Sequence, residues 1–215
     1  MLKSRHIIFV LLPALLIVGI IFGIRAFQYK VLFYDIAKQA MDTAPELELI
    51  PIFKEDPIVG SPTASQTLIV FEDFACEGCK SQNSILKDLE QQHPGKVKII
   101  WKGLPVATFP FSSKPTHEYA YCSNEQEKFI EFKELAFANY TNLSKTTLEM
   151  IAMQIELDQD ILKKCFASEK PLQYVETVRQ LAQILHVQHV PTFFLDNAQI
   201  PTPASIEEWE AILGL

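Results

Sequence analysis

Thr67–Cys79 reads TLIVFEDFACEGC, and this stretch decides the fold that we expect for the chain. Its first part, Thr67–Phe74, is rich in β-branched and aromatic residues, as is typical of a buried strand. Cys76 and Cys79 follow, separated by two residues. The next stretch, Lys80–Gln92, carries its apolar residues at helical spacing. The pattern therefore predicts a strand, a turn that carries the cysteine pair, and a helix.

The flanking sequence extends this unit into an α/β domain. Lys96–Lys102 (KVKIIWK) predicts a second strand, which completes a β-α-β unit. Val190–Leu195 predicts a later buried strand, and Ser205–Leu213 a last helix. Between the two β-rich parts lie four helical patterns, namely Glu118–Asn139, Leu148–Ile155, Asp160–Phe166 and Leu172–Leu185. We expect a thioredoxin-like arrangement with a helical insertion at about 115–186.

The N-terminus contains an uncharged apolar run, Ile7–Ile24, which spans about 27 Å as a helix and so fits a bilayer. A core helix would have a polar face, and a signal peptide would be followed by a small-x-small cleavage site, whereas Arg25 follows here. The run therefore predicts one transmembrane helix, acting as an uncleaved signal-anchor. We expect an anchor at 1–30, a juxtamembrane helix and linker at 31–60, and the domain at 61–215.

Length and charge limit the function classes. A chain of 215 residues has room for about one folded domain besides its attachments. Its net charge of −7 and the absence of a Lys/Arg cluster exclude a nucleic-acid partner.

The cysteine pair points to thiol chemistry. At a helix start the backbone N–H groups favour the thiolate, so Cys76 is the expected nucleophile. Cys79, one turn further, would resolve a mixed disulfide. A zinc half-site and a plain structural disulfide are the alternatives. Zinc would need two more ligands, and Cys122 and Cys165 are far apart in sequence. We expect no metal and no cofactor.

Several motifs together resemble the DsbA-like thioredoxin-fold thiol:disulfide oxidoreductases. They are Asp56–Pro62 (DPIVGSP), Phe71–Cys79 (FEDFACEGC), Cys122 with the Asn124–Phe129 stretch, Lys164–Ser168 (KCFAS) and Val190–Leu195 (VPTFFL). The resemblance implies a thioredoxin fold with an inserted helical subdomain, and protein thiols and disulfides outside the cytoplasm as substrates. It also implies a membrane quinone-coupled oxidase as recycling partner for an oxidising role.

The same resemblance implies that Pro191 is a cis-proline that faces the cysteines. A proline that opens a strand leaves neighbouring backbone free to pair with a substrate peptide, so we expect Val190 and Pro191 to bind substrate. A trans proline that merely starts the strand is the alternative.

The chain departs from the family at Glu77-Gly78, where members often have Pro and then an aromatic residue or His. Because an acidic neighbour opposes a thiolate, this departure leaves the redox direction open.

The two remaining cysteines are expected to form a structural disulfide. In an extracytoplasmic domain four cysteines favour pairing, and once Cys76 and Cys79 are assigned, Cys122 and Cys165 remain. Two buried, unpaired cysteines are the alternative.

Other polar residues receive simpler interpretations. Glu72, Asp73 and Lys102 lie beside or within strand patterns, where edge-facing or capping roles are expected and a proton relay is the alternative. His117, His186 and His189 have no metal-ligand spacing, so surface or helix-end positions are expected.

We therefore expect a membrane-anchored enzyme that exchanges disulfides with proteins, as a disulfide-forming oxidase. A reductase or isomerase is the alternative in the same chemistry. A Cu(I) metallochaperone is a further alternative, against which the lack of Met-rich or His-rich clusters counts.

Overall fold

The computed structural model describes residues 19–20, 22–25 and 49–215. The chain divides into two units, Met1–Glu46 and Leu47–Leu215. In the first unit, residues 19–20 and 22–25 are helical. Among the described residues, no helix has the length and apolar character needed to cross a membrane. Most of the predicted membrane helix at 7–24, and all of the predicted helix at 31–44, lies outside the described residues.

The second unit is built on one five-stranded sheet. Its strands are β1 (Ile58–Gly60), β2 (Gln66–Glu72), β3 (Val97–Gly103), β4 (Thr192–Leu195) and β5 (Ala198–Ile200). Their order is β1-β3-β2-β4-β5. The central strands β2 and β3 are parallel, and the other pairs are antiparallel. A parallel pair needs a crossover, and helix α1 (Glu77–Gln92) supplies it, as the sequence predicted.

Five helices lie between β3 and β4, and one follows the sheet. They are α2 (Lys114–Asn124), α3 (Phe129–Ala138), α4 (Lys145–Gln154), α5 (Gln159–Ala167), α6 (Lys170–Ile184) and, after β5, α7 (Ile206–Leu213). The predicted α/β fold with a helical insertion is confirmed for the described part of the chain.

Helices cover both faces of the sheet. On one face α1 and α7 pack together, with the fully buried Trp209 edge-on to Phe193 at 4.9 Å between ring centroids. The indole nitrogen of Trp209 donates a hydrogen bond to Gln82 of α1 at 3.1 Å. On the other face α6 contacts β3. The central strands are therefore buried on both sides, which explains their nearly uninterrupted apolar sequence.

The helical insertion is cross-linked. A disulfide joins Cys122 of α2 to Cys165 of α5, with a Cα–Cα distance of 5.9 Å. Both cysteines are buried. The bond therefore ties together two helices that are 43 residues apart in sequence.

The prediction of one helix over Glu118–Asn139 is wrong. The chain leaves the helix after Asn124, and Glu127 takes a left-handed conformation with φ of 59°. The Lys128 N–H then donates to the Ser123 carbonyl at 2.8 Å, which closes the first helix before α3 begins. No Gly or Pro occurs in this break, so the sequence did not indicate it.

The structured domain also begins earlier than residue 61. Ile50 is buried in the core, and β1 pairs with β3. Ile50 and β1 both fall within the segment that was predicted to be a linker. Gly60 ends β1 with φ of 85°. A strand of three residues is too short to show an alternating pattern, which is why the sequence did not reveal it.

Candidate active site

The two cysteines of the pair lie where β2 leads into α1, and they differ in exposure. Cys76 is the residue that caps the helix N-terminus, with an extended backbone (φ −99°, ψ 121°). Its Sγ accepts a hydrogen bond from the Cys79 backbone N–H at 3.1 Å. Cys76 is half-buried, whereas Cys79 is fully buried, and neither is bonded to another cysteine. A reactant in solution can therefore reach Cys76 but not Cys79.

The surroundings separate the acidities of the two thiols. Hydrogen bonds from the Cys79 thiol and the Cys79 backbone N–H lower the pKa of Cys76, against the opposing effects of burial, Asp73 and Glu72. Burial, then the hydrogen bond to Cys76 and the charge of Glu72, raise the pKa of Cys79 far above its usual value. In the reduced pair the thiolate therefore resides on Cys76 and the proton on Cys79.

The residues expected to bind substrate lie beside the reactive sulfur. The Cys76 Sγ lies 3.6 Å from the Val190 carbonyl oxygen, and the Val190–Pro191 peptide bond is cis. Gly78 faces the same point, since a Cβ added there would lie 3.4 Å from Pro191 Cδ and 3.8 Å from Cys76 Sγ. The structure thus brings together the predicted cysteine pair and the predicted Val190-Pro191 step.

Asp73 is the most strongly hydrogen-bonded carboxylate near the pair. Its Oδ1 accepts from the Ala75 N–H at 3.1 Å. Its Oδ2 accepts from the Val106 and Ala107 N–H groups at 2.7 and 2.8 Å, and from the Ser113 hydroxyl at 2.8 Å. Burial alone would raise the pKa of Asp73, but hydrogen bonds and charge from His117, with the backbone N–H groups, lower it to about 2. Asp73 is therefore an anion at neutral pH, and it joins the cysteine turn to the loop after β3.

His117 does not lie at the surface, although it does lie near a helix end, in the first turn of α2. It is buried, and its Nε2 donates to Asp73 Oδ1 at 3.2 Å. Its ring stacks on Trp101 at 5.5 Å and contacts Phe74 at 4.9 Å between centroids. The carboxylate of Asp73 holds the imidazole inside the core. His186 and His189 are exposed, as predicted.

Glu72 is fully buried rather than edge-facing. The indole N–H of Trp101 donates to its Oε2 at 2.8 Å, and Lys133 Nζ lies 3.8 Å from the same oxygen. Its Oε1 has no hydrogen-bond partner among the residues that the structure describes. Burial raises the pKa of Glu72, although Lys133 and Trp101 oppose the shift.

Lys133 was not singled out from the sequence, although a signal for it exists. It lies between Phe129 and Phe137 at four-residue spacing, and a lysine on an apolar helix face needs a buried partner. That partner is Glu72.

Lys102 is separated from the other two strand charges. Lys102 lies on β3, in register with Phe71 of β2. Because successive residues of a strand point to alternate faces, Lys102 and Phe71 are on the opposite side of the sheet from Glu72. Its Nζ donates to Asp56 and to the Pro51 carbonyl, and the Tyr174 hydroxyl donates to the other oxygen of Asp56 at 2.6 Å. Burial lowers the pKa of Lys102, while Asp56 opposes the shift. A proton relay through all three residues is therefore excluded by position.

Comparisons with known proteins agree with this geometry. A family model described as thioredoxin matches residues 53–214. The thiol-disulfide exchange protein alpha-DsbA2 from Wolbachia pipientis superposes with a TM-score of 0.66 and 20% identity, covering 82% of this chain and 91% of that one. A periplasmic thioredoxin-like protein from Salmonella enterica serovar Typhimurium gives 0.63 and 22%, covering 76% and 91%. The resemblance to DsbA-like proteins is confirmed.

One curated relative has a much longer chain. It is the Na(+)/H(+) antiporter NhaA 3 of Salinispora tropica, which is 24% identical over 164 residues. The match covers 76% of this chain and 25% of the relative. The chain thus spans about a quarter of the length of the relative it matches.

Proposed function

The chain belongs to the thioredoxin family, and we propose that it is a thiol–disulfide oxidoreductase that exchanges disulfides with proteins through Cys76 and Cys79. One observation carries the proposal. The half-exposed Cys76 sulfur accepts the Cys79 N–H at 3.1 Å, while Cys79 itself is buried. An accessible, stabilised thiolate with a protected partner one turn away has the properties that thiol–disulfide exchange requires.

The exchange proceeds in two displacements. A substrate thiolate attacks Cys76 Sγ of the oxidised pair, so a mixed disulfide forms and the Cys76–Cys79 bond breaks. Cys79 leaves as a thiolate and takes up a proton. A second substrate thiolate then attacks the substrate sulfur of the mixed disulfide and releases Cys76 as a thiolate. The substrate loses two electrons as its disulfide forms, and the cysteine pair gains them.

The direction that we propose is oxidation of substrates. A lowered pKa of Cys76 stabilises the reduced pair, and a pair whose reduced form is stabilised is a stronger oxidant. The charges of Glu72 and Asp73 oppose this effect, and they favour the alternative of a reductase or isomerase. For continued oxidation the pair must pass its electrons on, and we propose a membrane quinone-coupled thiol oxidase as the acceptor.

We further propose that the domain lies outside the cytoplasm, anchored by the apolar segment at 7–24. The Cys122–Cys165 disulfide supports an oxidising compartment, because such bonds are rare in reducing cytosol. The Salmonella protein of similar fold is described as periplasmic.

A redox titration tests the function and its direction. The full chain is equilibrated in glutathione buffers, and modified thiols are counted by mass spectrometry. A reduction potential of about −120 mV for the Cys76–Cys79 pair supports the oxidase, and one of about −270 mV supports the reductase. A pair that does not equilibrate with glutathione contradicts exchange altogether. Failure of the reduced chain to bind added Cu(I) contradicts a metallochaperone.

A further inference from the structure

A cleft of about 480 Å³ lies between α1, α3 and the edge of the sheet that β1 and β3 form. This volume falls within the range of about 300–1,000 Å³ that small-molecule sites have in proteins. The two cysteines of the pair and the Val190–Pro191 step do not line it, so it is separate from the candidate active site. Aliphatic side chains from all four elements line the cleft, namely Val59, Leu86, Leu89, Val97, Ile99 and Ile130.

The cleft also contains a buried cation, Lys133 of α3. The side chain of Lys133 lines the cleft but is only 4% exposed. Its one ion-pair partner in the described part of the chain is Glu72, whose Oε2 lies 3.8 Å from the Lys133 Nζ. That separation exceeds the usual N–H···O distance of about 2.7–3.2 Å. Because a buried ammonium group without close acceptors is unfavourable, an acceptor that enters the cleft gains a strong hydrogen bond there.

The charges around the cleft favour a ligand without net charge. Besides Lys133, the lining contains Lys87, Glu90 and Glu134. Lys87 and Glu134 pair with each other at 2.6 Å, so their charges already offset one another. An anionic ligand that approaches Lys133 also approaches Glu72, and a cationic ligand is repelled by Lys133 itself. An uncharged acceptor, such as a carbonyl oxygen, binds the Lys133 ammonium group without either penalty.

We propose that this cleft binds small uncharged amphiphiles, whose aliphatic chain lies against the apolar lining and whose carbonyl or amide oxygen accepts a hydrogen bond from Lys133. Burial of the chain removes apolar surface from water, and the oxygen determines which end of the molecule enters first. Water satisfies the cleft less well, because it bonds to Lys133 but leaves the aliphatic side chains hydrated. The site is additional to the proposed disulfide exchange and does not depend on it.

Three eight-carbon probes that differ in net charge test the proposal, namely octanamide, octanoate and octylammonium. The full chain in nanodiscs carries isotope-labelled methyl groups on Ile, Leu and Val, so that NMR locates binding by residue even when some probe dissolves in the lipid. At neutral pH, octanamide should shift the methyl signals of Leu86, Ile99 and Ile130 in a saturable way. The two charged probes should bind about tenfold more weakly.

Two matched variants test the position of the site. Ile130 is 44% exposed and Ile161 is 45% exposed, but of these two only Ile130 lines the cleft. Ile130→Trp should abolish saturable binding of octanamide, because the larger ring fills the cleft. Ile161→Trp, on α5, should bind octanamide as the wild type does.

A third variant tests the hydrogen-bond donor. Lys133→Met/Glu72→Gln removes the ammonium group together with its counter-charge, which avoids leaving one buried charge unpaired. This variant should bind octanamide about tenfold more weakly than the wild type. The methyl signals of Leu148 and Ile151, which are buried in α4, should stay unchanged and so show that the variant is folded.

Several results would overturn the proposal. They are the absence of saturable shifts with octanamide in the wild type, and octanamide binding that is equal in Ile130→Trp and the wild type. Tighter binding of octanoate or octylammonium than of octanamide contradicts the uncharged ligand, and unchanged affinity in Lys133→Met/Glu72→Gln contradicts the role of the ammonium group. Methyl signals of the cleft that depend on protein concentration without any probe would show that a second copy of the chain covers it instead.

Discussion

The backbone nitrogen of Cys79 lies 3.1 Å from the Cys76 sulfur, so the buried cysteine stabilises the thiolate of the exposed one. We expect Cys76 alone to react with iodoacetamide at neutral pH when the pair is reduced. Cys79→Ala should then accumulate mixed disulfides with proteins, because the resolving thiol is missing. Peptide mapping shows which cysteine is alkylated, and non-reducing electrophoresis shows whether mixed disulfides accumulate. Faster labelling of Cys79 than of Cys76 would reverse the assigned roles.

Replacing Asp73 by Asn should destabilise the protein in a pH-dependent way. The folded pKa of about 2 lies below the ordinary 3.8, so Asp73 contributes stability above pH 3.8 that is lost as pH falls towards 2. The shift corresponds to roughly 2 kcal/mol, which the Asn variant should lose at neutral pH. Urea unfolding at a series of pH values measures this. Asp88→Asn, on the exposed side of α1, is the control and should follow the wild type.

Glu72→Gln should affect both stability and exchange. Burial raises the pKa of Glu72 in the folded protein above the ordinary value of 4.5. Glu72 therefore adds to the free energy of unfolding at pH values below 4.5, and this contribution is lost as pH rises through the folded pKa. The Gln variant does not titrate there, so its stability relative to the wild type should increase with pH.

If Glu72 moves the proton of Cys79, resolution of mixed disulfides should also be roughly a hundredfold slower in the Gln variant than in the wild type, as measured by rapid quench. An unchanged resolution rate, equal to that of the exposed control Glu149→Gln on α4, would exclude Glu72 from proton transfer.

Removing the second cysteine pair should cost stability but not chemistry. The Cys122–Cys165 bond closes a separation of 43 residues, for which the chain-entropy model gives roughly 4 kcal/mol. Cys122→Ala/Cys165→Ala should therefore melt about 10 °C lower by circular dichroism. It should still oxidise peptides in the cold, since the bond lies in the insertion. Loss of exchange in a variant that is demonstrably folded would assign this disulfide a part in the reaction.

The side of the membrane on which the domain lies can be determined by labelling Cys76. In intact cells, with any outer envelope opened, a membrane-impermeant maleimide should label the thiol of the Cys79→Ala variant, because we propose that the N-terminus stays in the cytoplasm. Labelling that requires lysis of the inner membrane would show the opposite orientation. Removal of residues 1–30 should release the domain from the membrane fraction, and retention would contradict the anchor.

The centre of the fold could be predicted, and its margins could not. β2, α1 and β3 have long apolar patterns, and the structure places their ends within a few residues of the prediction. β1 and β5 have three residues each, too few for a period-2 signal. The break between α2 and α3 depends on the left-handed Glu127, a residue type that gives no warning of such a conformation.

The same division holds for the candidate site. Spacing along the chain predicted Cys76 and Cys79, and family likeness predicted Val190 and Pro191, because these features are local. The Glu72–Lys133 contact joins residues that come together only when α3 packs on the sheet. The partners of an ionisable residue depend on packing that no local pattern records.

The three-residue strands at the margins of the sheet limit how other chains can pair with it. A long free strand edge offers its N–H and C=O groups to any extended polypeptide, and such pairing leads to aggregation. β1 stops at Gly60 and is soon followed by Pro62, while β5 is followed directly by Pro201. Proline cannot donate to a ladder, so neither edge can be lengthened by many residues. Neither edge of the sheet therefore offers a long row of unpaired backbone groups to another copy of the domain.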